Sequence, residues 1–114
     1  MAIEHLLGNG RMSGIVKTGD RIYLSGLTSF AEGITAQTED VLAKIEERLA
    51  LAGSDKNHIL RATIYLKDMK YFDEMNKVWD AWTVDETAPA RACVEAKLAR
   101  ESALIEIVID AAVI

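Results

Sequence analysis

Pro89-Ala90-Arg91-Ala92-Cys93-Val94-Glu95-Ala96-Lys97-Leu98 is followed, after a short polar connection, by Leu104-Ile105-Glu106-Ile107-Val108-Ile109-Asp110. Both stretches alternate with a period of two, the pattern of a strand whose two faces meet different surroundings. In the first, Ala90, Ala92, Val94, Ala96 and Leu98 share a face opposite Arg91, Cys93, Glu95 and Lys97. In the second, Ile105, Ile107, Ile109, Ala111 and Val113 form an apolar row opposite Leu104, Glu106, Val108 and Asp110. The short linker predicts an antiparallel hairpin with both apolar rows on one side, which would gather Arg91, Cys93 and Glu106 on the other. A guanidinium, a thiol and a carboxylate on one sheet face mark a candidate site.

Working outward, the preceding segments alternate between the two periods. Residues 1–7 are compatible with a short edge strand, limited by Gly8-Asn9-Gly10. Ser13 to Val16 and Arg21 to Ser25 read as two strands joined by Lys17-Thr18-Gly19-Asp20, and Leu27 to Gly33 reads as an irregular loop. Over residues 35–52, Val41, Ile45 and Leu49 recur every four residues with Leu42 and Ala52 alongside, so the spacing predicts an amphipathic helix with Thr35 as N-cap and Gly53 as C-terminal stop. His58 to Lys67 is rich in β-formers. Lys70 to Thr83 predicts a second helix, capped by Asp68, with Phe72, Met75, Trp79 and Trp82 as a core stripe. The order β-β-β-α-β-α-β-β implies an α+β architecture, two helices on one face of a mixed sheet. The helix-free face carries Arg61, Thr63, Tyr65, Val108 and charged neighbours. It is too mixed for either a core or a wet surface, and self-association in a closed ring would cover it.

Composition narrows the function classes. The chain has 114 residues, enough for one domain with its own core, and half are hydrophobic with a single proline, which argues against disorder. A formal charge of −5 and the absence of basic runs argue against binding to phosphate backbones. No stretch approaches the ~20 apolar residues of a membrane span. The single cysteine, Cys93, has no partner for an internal disulfide, and the reading is of a cytoplasmic protein. His5 and His58 are isolated and give no metal spacing.

At this point the chain resembles a known family over nearly its full length. The residues that carry the resemblance are Tyr23-Leu24-Ser25-Gly26, Ala36-Gln37-Thr38, Thr63-Ile64-Tyr65-Leu66-Lys67-Asp68-Met69, Met75-Asn76, Pro89-Ala90-Arg91-Ala92-Cys93-Val94-Glu95 and Ile105-Glu106-Ile107. In this order they look like the RidA/YjgF family, also called the L-PSP family. The resemblance implies a single domain over residues 1–114 with a chorismate-mutase-like two-layer sandwich, a homotrimer with clefts between subunits, and no cofactor or metal. It implies hydrolysis of reactive 2-imino or enamine acids to 2-oxo acids and ammonia, as in 2-iminobutanoate/2-iminopropanoate deaminases.

Carried across residue by residue, the family's carboxylate-binding arginine falls on Arg91 and its water-positioning acid on Glu106. Cys93, Ser25 and Asn76 fall on substrate-binding positions. Many members carry Gly-Pro-Tyr-Ser-Gln before the first hairpin. This chain has Gly10-Arg11-Met12-Ser13-Gly14 there, without the tyrosine, and has Leu27 where a glutamine often follows Ser-Gly. It is thus similar to a divergent subgroup.

Taken without the resemblance, Arg91 reads first as an ion-pair partner of Glu95, Glu106 or Asp110; with it, the order reverses. Cys93 reads as a packing residue rather than a nucleophile, because no base stands in recognisable relation to it. Ser25 likewise reads as a hydrogen-bonder. Two other functions stand behind imine hydrolysis. One is a small-carboxylate binding or sensing module of the same fold. The other, third in order, is the ribonuclease or translation-inhibitor role attached to parts of the family.

Overall fold

A computed structural model describes residues 1–114. The strands are β1 (Ile3–Gly8), β2 (Ser13–Thr18), β3 (Arg21–Leu24), β4 (Ile59–Leu66), β5 (Ala90–Glu95) and β6 (Ile105–Ala112), with helices α1 (Ile34–Ala52) and α2 (Phe72–Trp82). They form one six-stranded sheet in the order β1-β2-β3-β6-β4-β5. Every pairing is antiparallel except β4 with β5.

The start of the chain does form the edge strand that its short apolar run allows. Thr18 pairs with Arg21, so only Gly19 and Asp20 lie in the following turn, and Gly19 supplies the positive φ of 59°. Helix α1 begins two residues earlier than a Thr35 cap would place it. Gly33, at φ 89°, is the N-cap and makes no side-chain bond, while Thr35 lies exposed in the first turn. Gly53 ends the helix in the left-handed conformation, with its N–H donated to Ala50. Asp68 caps a short 3-10 turn that leads into α2 by accepting from the Lys70 N–H.

The helices cover one face of the sheet. Val41, Leu42, Ile45 and Leu49 of α1 and Met75 and Trp79 of α2 are buried against Ile22, Ala62, Ile64, Ile105, Ile107 and Ile109. Each such isoleucine or leucine contributes about 1.5–3 kcal/mol by leaving water. No helix is long and apolar enough to cross a membrane.

The expected β5–β6 hairpin does not form, because β4 lies between the two strands. Helix α2 carries the chain from one end of β4 back to the other, so β5 enters parallel to β4 and at its outer side. The register then reverses the expected faces of β5. Arg91 is level with Ala62, Cys93 with Ile64 and Glu95 with Leu66, all three partners being core residues on the helix side. The small row Ala90, Ala92 and Val94 therefore lies on the helix-free face. Glu106 pairs with Tyr65 between the buried Ile105 and Ile107, which also puts it on the helix-free face.

Candidate functional site

The residues singled out from sequence fall into two groups rather than one. Arg91, Cys93 and Asn76 come together where α2 passes over the edge strand β5. Nη1 of Arg91 donates to Asn76 Oδ1 at 2.7 Å. The guanidinium carbon lies 5.4 Å from the Trp79 ring centroid and 6.0 Å from that of Phe72. This aromatic backing limits the tilt of the planar cation and adds cation–π attraction. Arg91 is exposed, and its other N–H groups have no protein acceptor. Neither Glu95, Glu106 nor Asp110 is its ion-pair partner; Glu95 instead accepts from the Met69 N–H. Cys93 is half-buried two residues on, where burial pushes its thiol above the ordinary range while the Arg91 charge pulls it part-way back. At neutral pH it is a neutral thiol, in keeping with a packing role.

The second group lies on the helix-free face, where β3 ends beside β6. Leu27 exchanges two backbone hydrogen bonds with Ile107, at 3.0 and 3.1 Å, which brings the Ser25-Gly26 step against Glu106. A Cβ placed on Gly26 would lie 3.1 Å from Glu106 Cγ, 2.9 Å from Cδ and closer still to Oε2. The missing side chain is thus what lets the carboxylate lie flat over the backbone. Glu106 is half-buried and makes no hydrogen bond or ion pair within the chain. Ser25 Oγ donates to the Ser13 carbonyl at 2.5 Å and lies 3.7 Å from Met12 Sδ. Its proton is committed to the backbone, so the hydroxyl has only lone pairs to offer.

One chain therefore does not bring Arg91 and Glu106 together. They stand on opposite faces of one sheet, contrary to the hairpin-based expectation that places them side by side. Residues to which the sequence gives no site role also lie here: Trp79 and Phe72 behind the guanidinium, and Gly26 beneath the carboxylate. Trp79 fits the core stripe at helical spacing, and only the β4–β5 register shows that its ring also faces Arg91.

The loop from Leu27 to Gly33 is irregular, as expected, but firmly held. Arg100 donates to Thr28 Oγ1 at 3.2 Å and to the Ser29 carbonyl at 2.6 Å, and its guanidinium stacks 3.8 Å from the Phe30 ring centroid. The buried Gln37 links the loop to the last connection through Ala31, Ser102 and Leu104. Ser29 Oγ donates to Asp40, a bond that holds the Asp40 carboxyl below its usual range against the opposing effect of burial. Nowhere do three or more His, Cys, Asp or Glu side chains gather in a way that could hold a metal ion.

A family model described as "Endoribonuclease L-PSP" matches residues 3–113. The chain belongs to the L-PSP, or RidA/YjgF, family. Among curated relatives of this L-PSP chain, a RutC family protein of Haemophilus influenzae is 38% identical over 114 residues, covering 97% of this chain and 98% of that protein. Another, from Haemophilus ducreyi, is 47% identical over 70 residues, which span 61% of this chain and 60% of that protein. The crystal structure of NMB1025, a YjgF family member from Neisseria meningitidis, superposes with a TM-score of 0.98 at 47% identity, covering 100% of this chain and 97% of that one. The α+β architecture, a mixed six-stranded sheet with two helices, is thus that of L-PSP family structures.

Proposed function

We propose that the chain hydrolyses 2-imino and enamine acids to 2-oxo acids and ammonia, with Arg91 binding the substrate carboxylate and Glu106 positioning water. The observation that carries this reading is the state of Arg91. Its guanidinium is fixed by Asn76 and two aromatic rings yet unpaired with any acid, so donors remain for a carboxylate in the two-pronged geometry a guanidinium favours. The unpaired Glu106 supplies the second element, a carboxylate lying over Gly26 with its lone pairs free.

Because the two residues face opposite ways in one chain, the reading requires Arg91 of one copy to meet Glu106 of another in a closed ring, for which the mixed helix-free face provides the contact. In the reaction, the protonated imine is already electrophilic at C2. Water adds there while Glu106 accepts one of its protons. That proton is returned to the amino nitrogen, the C–N bond breaks as Glu106 takes the hydroxyl proton and the C=O bond forms, and the departing ammonia carries this proton away as ammonium. The products are the 2-oxo acid and ammonium, and the sequence is redox-neutral. General base assistance of this kind contributes about 10²–10⁴ in rate, and positioning contributes more. Family membership supports a related hydrolytic function; the particular imine chemistry and residue roles are the proposal.

The test generates 2-iminopropanoate in situ from alanine with an amino-acid oxidase and times its loss with and without the protein. The intact chain is expected to accelerate loss and Arg91→Ala to abolish the acceleration. Equal rates with Arg91→Ala would overturn the assignment.

One observation favours a second reading, a carboxylate-binding or sensing module: the thioether of Met12, not a phenol, lies beside Ser25. Tight binding of a 2-oxo acid without any acceleration of imine loss would select it.

A further inference from the structure

A broad depression lies between α1 and α2, lined by neither group of candidate site residues, with its Trp82 ring 5.3 Å, centroid to centroid, from the Trp79 ring that backs Arg91. It has a volume of about 870 Å³. Its floor is apolar, made by Leu42 and Ala43 of α1 and by Val78, Ala81 and Trp82 of α2. Its rim carries Glu39, Glu46 and Glu74 against a single cation, Lys77. None of these four charged groups has an ion-pair partner within the chain. Glu46 accepts from the Trp82 indole N–H at 2.9 Å, which holds the ring as one wall. Lys56, at the far end of Trp82, is tied to that residue's own carbonyl at 2.7 Å.

We infer that this groove is a docking site for a basic amphipathic helix of a partner protein, lying between α1 and α2 with its apolar seam on the floor and its lysines or arginines on the glutamate rim. Length fits first. The α1 wall runs from Thr35 to Glu46, so an occupant of three turns, about 16 Å long, lies alongside it. The mode is that of an amphipathic helix in a groove, with anchors at i, i+3, i+4 and i+7.

Charge then selects the occupant. The two helices together carry seven carboxylates against three cations, so most of the net negative charge sits on this layer. A second copy docked through the same groove would bring these carboxylates against one another, whereas a cationic partner is attracted and steered to it. The groove also stays open when the helix-free face is covered. The inference is therefore independent of the imine chemistry.

The experiment uses the intact protein and two fluorescein-labelled synthetic peptides of about fourteen residues, long enough for four helical turns. Both contain the same leucines, alanines and lysines. In one the apolar residues recur at i, i+3, i+4 and i+7; in the other the order is scrambled. Fluorescence anisotropy at low and physiological salt reads the affinity. The seam peptide is expected to bind about tenfold or more tightly than the scrambled one, and more weakly as salt rises. Glu39→Lys with Glu74→Lys is expected to weaken it about tenfold or more, with the melting temperature verifying the fold. Ala81→Gln, which fills the floor without a change of charge, should weaken it as well. Equal binding of both peptides would overturn the inference, as would undiminished binding to the charge-reversed and floor-filled variants.

Discussion

Gly26→Ala separates the position of Glu106 from the stability of the fold. The added methyl would sit 3.1 Å from Glu106 Cγ and 2.9 Å from Cδ, inside ordinary contact distance, and would overlap Oε2. The nearest atoms all belong to a flexible side chain, so the carboxylate swings aside and the backbone stays. The expected loss of stability is accordingly small, under about 1 kcal/mol, below the usual range for overpacking a rigid core. The catalytic cost is larger. On the proposed chemistry, a carboxylate displaced by about 1 Å no longer aims a water at C2 of the imine, and misplacement on that scale costs about 10²-fold, or roughly 2.7 kcal/mol of transition-state stabilisation. Thermal unfolding and timed imine loss on the same preparation make the comparison. A variant that melts normally and hydrolyses imine at the full rate would refute the role given to the Gly26–Glu106 contact. One that fails to fold would refute the claim that only a side chain is in the way.

Three further expectations follow from the packing and the titrating groups. Ile64→Ala, at a position with no exposed surface in β4, a strand paired on both sides, should lower unfolding free energy by about 2–5 kcal/mol in denaturant titrations. Ser29→Ala removes the bond that holds Asp40 below its usual range. A carboxyl with a lowered folded pKa stabilises fully above the ordinary aspartate range, about 4, and the contribution is lost as pH falls through the folded value. The melting temperature of Ser29→Ala should therefore fall less steeply than that of the parent as pH drops from about 5 to 2, and parallel curves would contradict the assignment. Cys93, its thiol raised by burial, should be alkylated by iodoacetamide slowly at neutral pH, with a rate that climbs only above the free-thiol value of about 8.5.

Much of the fold is legible in the sequence because period and punctuation are local. The four-residue recurrence of Val41, Ile45 and Leu49 marks α1, Gly53 ends it, and the alternation about Ile105, Ile107 and Ile109 marks a buried strand whose inner row is indeed the core row. Pairing is not local. Alternation states that Arg91 and Ala92 point opposite ways, but not which of them faces the helices. The natural assumption that the apolar row faces inward fails at β5 because it is an edge strand. Only the flank of α2 reaches over it, so a charged side chain can lie on the helix side with its head exposed, while small alanines occupy the free face. The same error brings Arg91 and Glu106 together in one chain on paper. The candidate site residues come from the family resemblance, but their division between two faces emerges only from the register of β4 with both neighbours.

That division makes one measurement decisive. Arg91→Ala and Glu106→Gln, each inactive alone, are co-expressed so that their chains mix in one assembly. If each site takes its arginine from one copy and its glutamate from the next, random mixing leaves roughly a quarter of the sites with both residues intact, because each contributing copy is correct about half the time. Imine hydrolysis should therefore return to about a quarter of the parent rate. No recovery in a demonstrably mixed oligomer would contradict the account.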